Sequence, residues 1–154
     1  MSTAMNHATS AVELAPLEYA TPGAPPGFQK GATSALSFAD TIERLKQALA
    51  AEDLWLIHEI DPQMLLQRGG HAIASTRQLL FFHPRYMVRL LQADPAALIE
   101  APLKLAVMES PVDATVAIRW HDPVTAFDRY GNDALSVLAR EFQDLYARLL
   151  EGIA

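Results

Sequence analysis

TRQLLFFHPRYMVRLLQADPAALIEAPLKLAVME, Thr76 to Glu109, holds the order of elements from which the fold is read. Leu79 to Phe82 is a run of large apolar residues too short for a helix and suited to a strand buried on both faces. It stops at His83-Pro84, because proline has no N–H for a ladder and its φ is preset for the first position of a helix. Tyr86 and Leu90, with Met87 and Leu91 beside them, then fall at helical spacing. Asp94-Pro95 repeats the device, carboxylate as N-cap and proline at the first helical position, and launches a short segment to Glu100 that Ala101-Pro102 closes. Leu103 to Glu109 sets Leu103, Leu105 and Val107 against Lys104, Ala106 and Met108, the period of a strand with one face in a core.

Downstream, Ser110-Pro111-Val112-Asp113 is expected as a four-residue turn with proline at its second place, and Ala114 to Trp120 as the returning strand of a hairpin. If Glu109 faces Ala114, Val107 pairs with Val116, Leu105 with Ile118 and Leu103 with Trp120, so the large apolar pairs share one face. Asp122-Pro123 then starts a short helix to Tyr130. After Gly131-Asn132 comes a last helix with Leu135, Leu138, Phe142, Leu145 and Leu149 on one stripe. Upstream, Ser37 caps an amphipathic helix over 38–51, with Asp40 at its third position. Leu54 to Ile60 reads as a strand apolar on both faces, and Asp61-Pro62 opens a short helix ended by Gly69-Gly70. No internal repeat is visible.

Several of these short signatures occur together in a known family. Phe81-Phe82-His83-Pro84 stands where its members carry Phe-Gly-Asn-Pro at a strand end, and Ala101-Pro102-Leu103-Lys104 stands where they carry a Leu-Pro-Leu-Lys strand. Glu59 to Asp61 and Asp122-Pro123 also fit. Over about residues 28 to 150 the chain therefore resembles the family catalogued as domain of unknown function 302. The resemblance implies a β-α-β(4)-α fold, an edge strand at Gln29 to Ala35 and a dimer, and it implies no activity.

At 154 residues the chain is expected to form one domain, and with 51% hydrophobic and 19% charged residues its composition is that of an ordinary globular protein. The absence of cysteine excludes a disulfide framework, a thiol nucleophile and a thiolate metal site. Twelve basic against eighteen acidic residues give a formal charge of -6, and the basic residues are scattered, which argues against nucleic acid. Residues 1 to 26 contain Pro16, Pro22, Pro25 and Pro26 among small and polar residues, without sustained periodicity, and are expected as a disordered tail ahead of a domain at 27–154. The alternative is that Val12, Leu14, Leu17 and Tyr19 dock somewhere. No run approaches the roughly 20 residues needed to span a bilayer and no signal peptide is seen, so a cytoplasmic protein with no membrane partner is expected.

No catalytic signature is present. His58-Glu59 lacks a second histidine at the zinc-protease spacing and lies in a strand pattern, while His7 and His71 read as solvated. Nothing matches a nucleophile elbow or a phosphate-binding loop. Topology supplies a better constellation. In an antiparallel meander His83, Lys104, Arg119 and His121 fall at one edge of the sheet, with Lys104 opposite Arg119 and Ala106 opposite Ala117. Facing like charges are unfavourable, so an acidic side chain, solvent or an anion must separate them. The plain reading is an ordinary solvated face. The functional one is a small anion, or a haem whose propionates meet Lys104 or Arg119 and whose iron takes His83 or His121. One bare metal shared by the two histidines is disfavoured by the ~10 Å of two inter-strand steps.

These readings converge on an α+β domain: one antiparallel sheet, two main helices on one face and short proline-initiated helices. It is expected to be a binding or assembly module without catalysis, an enzyme of unknown substrate being the minority reading. Because the strands at 54–60 and 79–82 are apolar on both faces, the uncovered face calls for a partner, and a homodimer is the commonest solution. The N-terminal tail and an apolar ligand are the competing covers.

Overall fold

The computed structural model describes residues 13–154; expectations that fall on residues 1–12, those for His7, Val12 and the first part of the tail included, lie outside the described residues. The elements are β1 (Ala15–Pro16), β2 (Gln29–Ser34), α1 (Phe38–Ala51), β3 (Trp55–Ile60), α2 (Pro62–Arg68), β4 (His71–Ala72), β5 (Thr76–Phe82) and α3 (Pro84–Ala93). A 3-10 helix (Pro95–Glu100), β6 (Leu103–Glu109), β7 (Val116–His121), α4 (Pro123–Asp128) and α5 (Asp133–Leu149) follow. Local caps set the helix starts. Asp61, Asp94 and Asp122 each accept a backbone N–H just inside the helix that the next proline opens, at 3.0, 2.9 and 3.1 Å. Asn132 does the same for α5 at 3.1 Å. Ser37 Oγ accepts the Asp40 N–H at 3.2 Å. Ser37→Ala is therefore expected to cost about 1 kcal/mol and Ser37→Gly only a few tenths, read as urea unfolding free energies. Equal losses in the two would show that the cap is not what the serine contributes.

Five strands form an antiparallel sheet in the order β2-β7-β6-β5-β3. Alternation sorts their side chains. Leu79 and Phe81 of β5, Leu103, Leu105 and Val107 of β6, and Val116 and Ile118 of β7 are buried in one cluster with Ile42, Leu45 and Leu49 of α1 and the stripe of α5. The stripe carries Tyr146 in addition to the five residues expected there.

The expectation of a single sheet is corrected, because β1 pairs in parallel with β4, Ala15 beside His71 and Pro16 beside Ala72. Strands of two residues, one of them a proline, leave no periodicity to read. From there the stretch expected in a tail is tied to the domain: the Tyr19 hydroxyl accepts the Ala74 N–H at 3.1 Å, Thr21 Oγ1 lies 2.6 Å from Ser110 Oγ, and the Gly23 carbonyl accepts a bond from Arg119.

The hairpin register is also corrected. Val107 pairs with Ile118, Met108 with Ala117 and Glu109 with Val116, two residues out of step with the expected pairs. The turn is longer than four residues. The Ser110 N–H donates to the Thr115 carbonyl at 2.7 Å and the Ala114 N–H to the Ser110 carbonyl at 3.2 Å, with Ala114 at φ 61°. Ser110 Oγ and Asp113 Oδ1 accept the Val112 and Thr115 N–H groups inside the loop. A shift of two leaves every side chain on its own face, so apolar alternation cannot detect it. Arg119 consequently lies opposite Ala106 on one side and Gly31 on the other, not opposite Lys104, and Ala106 does not face Ala117.

Candidate functional site

Three of the four sequence-nominated residues come together. Lys104, Arg119 and His121 line a cavity of about 80 Å³ with Gln29, Ala106 and Trp120. Alternation along β6, β7 and β2 puts Lys104, Ala106, Arg119, His121, Gln29 and Gly31 on the face opposite the core cluster. Arg119 is held by neutral groups: one Nη donates to Gln29 Oε1 at 3.5 Å, the other to the Gly23 carbonyl. Its stem lies flat over Gly31, where a Cβ would come within 2.8 Å of Nε and 2.9 Å of Pro25, so only glycine lets the strand pass beneath it.

Lys104 and His121 also border a second cavity of about 170 Å³, whose wall includes Ile99, Glu100, Pro102, Phe127 and Tyr146. Tyr146 stacks on Trp120, ring centroids 5.5 Å apart and planes 18° from parallel, and its hydroxyl donates to the Lys104 carbonyl at 3.2 Å. Burial pushes the Tyr146 phenol well above its ordinary range, so it stays protonated. Glu100 Oε1 accepts from the Tyr130 hydroxyl at 3.0 Å and from Arg129 at 3.2 Å. A third hollow of about 380 Å³, beside Phe28, Thr125 and Arg129, again includes Glu100 and His121. His121 is common to all three.

His83 is not part of this group. It caps α3, its Nδ1 accepting the Arg85 N–H at 3.1 Å, and its ring packs edge-on against Trp55 at 5.2 Å. Its Nε2 is 3.7 Å from Asp53 Oδ2. His83 lines a separate apolar groove of about 260 Å³ with Trp55, Ile57, Met87, Val88 and Leu91. Among the described residues, no three His, Cys, Asp or Glu side chains are grouped to hold a metal ion, and no helix is long and apolar enough to cross a membrane.

Sequence reasoning missed Gln29, Gly31, Glu100 and Tyr146. Only Tyr146 carried a local signal, four residues beyond Phe142 on the apolar stripe; the rest reach the site through strand order.

A family model described as "Domain of unknown function DUF302" matches residues 30–153. The crystal structure of an uncharacterised conserved DUF302 protein from Bacillus stearothermophilus is similar to this chain, with a TM-score of 0.72 and 22% sequence identity over 80% of this chain and 97% of that one. At that identity the likeness speaks for the fold. No curated protein matches.

Proposed function

Since the chain belongs to the family described as domain of unknown function DUF302, and that description assigns no activity, we propose that it is a homodimeric binding and assembly module working through an apolar surface. One observation carries this reading. On the edge strand β3, Trp55 and Ile57 are each 54% exposed, and they share a groove with Val88 and Leu91 of α3, 54% and 41% exposed. Large apolar side chains gathered in water mark a surface with a partner. A second copy is the simplest occupant, and a standard interface takes roughly 800 Å² from each.

The reading takes α1 and α5 as the cover of one sheet face and the chain from Tyr19 to Pro25 as a partial cover of the other. That moves the expected seat of the dimer from the helix-free face to β3 and α3. The bulge between Leu56 and His58 interrupts the ladder on that edge, so two copies meet through side chains and not by extending one sheet. In light scattering at high micromolar concentration the unmodified chain should have the mass of a dimer. Ile57→Lys combined with Val88→Lys should weaken association at least ~100-fold, the loss of two buried anchors, with an unchanged circular dichroism spectrum. A monomeric unmodified chain sinks the reading.

A further inference from the structure

All twelve Lys and Arg of the chain lie within the described residues, and seven of them meet a carboxylate. These are Lys30, Lys46, Arg77, Arg85, Arg89, Arg129 and Arg148. Of the other five, Arg44, Arg68 and Arg140 are exposed, where water solvates them. Lys104 and Arg119 are half-buried, and they are the two that converge on one cavity. Residues 1–12 contain neither Asp nor Glu, so they have no acidic side chain to offer. In a chain of formal charge -6, two half-buried cations on one cavity, neither of them ion-paired with a carboxylate, stand apart from its other basic residues. Arg119 is moreover fixed in place by Gln29, Gly23 and the bare backbone of Gly31, groups that orient a guanidinium without neutralising it.

We infer that the Lys104–Arg119–His121 cavity receives the carboxylate of a small organic monoanion, whose short body occupies the adjoining cavity beside Glu100. The cavity of about 80 Å³ has room for a carboxylate group, which Lys104 and Arg119 meet with charge-assisted hydrogen bonds. The neighbouring cavity of about 170 Å³ shares Lys104 and His121 and adds Ile99, Pro102 and Phe127, an apolar wall for a few carbon atoms. Glu100 sets the class. Its Oε1 is held by Tyr130 and Arg129, which leaves the other oxygen to accept a hydrogen bond from a ligand hydroxyl, and the carboxylate, only partly offset by the exposed Arg129, disfavours a second anionic group on the ligand. The ligand class is thus a short hydroxy-monocarboxylate, and inorganic anions or dicarboxylates fit less well. The site involves none of the residues assigned to self-association, so the two proposals fail separately.

Isothermal titration calorimetry of the full chain with lactate, propionate, succinate and inorganic phosphate tests it. Lactate should bind more tightly than propionate, and both more tightly than succinate or phosphate. Arg119→Gln and Lys104→Met should each weaken lactate at least tenfold, while Arg140→Gln, at an exposed arginine, should leave it unchanged. The inference is overturned if neither monocarboxylate binds at tens of millimolar, if phosphate binds as tightly as lactate, if succinate does, or if both variants keep the affinity of the unmodified chain. Because the first titrations use the unmodified protein, a variant that fails to fold does not leave the question open.

Discussion

Phe142→Ala is expected to lower the unfolding free energy by about 3–5 kcal/mol, a large share of the roughly 5–15 kcal/mol that holds a domain of this kind together. Phe142 is fully buried on α5, and its ring lies 5.1 Å from that of Tyr86 and 5.9 Å from those of Phe82 and Phe127. It is the meeting point of β5, α3, α4 and α5. Alanine there removes dispersion contacts with three rings and leaves a cavity that three separate elements would have to close by moving together. Urea unfolding followed by tryptophan fluorescence measures the loss, and Phe142→Leu should recover a good part of it. A loss below ~1.5 kcal/mol for alanine would mean that the rings repack easily around the gap.

Alkaline pH should act on the fold through Tyr146. Its phenol is raised in the folded protein by burial, while in the unfolded chain it ionises near its ordinary value of about 10. The raised folded value means that Tyr146 contributes its stability in full below pH ~10 and loses it as pH climbs above, because the unfolded state then gives up a proton that the folded state keeps. The slope is about 1.4 kcal/mol per pH unit for this one group. Tyr146→Phe removes that slope, at a cost near neutrality of about 1 kcal/mol for the hydrogen bond to the Lys104 carbonyl. Urea midpoints of both proteins at pH 8 and pH 11 give the comparison. The same decline in both would show that another group governs the alkaline limit.

What could be read from the residues was what is local. Asp61-Pro62, His83-Pro84, Asp94-Pro95 and Asp122-Pro123 each open a helix where capping chemistry and the fixed φ of proline demand one. The alternation of Leu103, Leu105 and Val107 assigned the faces of β6 correctly. The hairpin register was not local. It depends on Ser110 and Asp113 folding their oxygens into a longer loop and on Ala114 taking a left-handed φ that no glycine announces. Lys104, Arg119 and His121 stay together despite that error because a slip of two keeps them on one face. His83 was lost from it for another reason: β5 has β3 as its other neighbour, a strand order that no pattern in the residues revealed, and the ring turns to Trp55. Glu100 and Gln29 entered the site by the same non-local route.

The place of β2 at the outer edge, paired with β7, sets a timetable. Gln29–Ser34 has no strand to join until Val116–His121 has been made, and the Ala35 N–H waits for the Ile153 carbonyl, 2.7 Å away in the finished domain. At ordinary rates of synthesis about 80 residues separate the two strands by roughly 4 to 16 seconds. The strands β3, β5, β6 and β7 can meet their neighbours in the order in which they appear, with short loops to close. The outer flank of β7 is sealed by a segment that has been waiting since the first quarter of the chain was translated, so the longest loop to close belongs to the earliest strand of the main sheet.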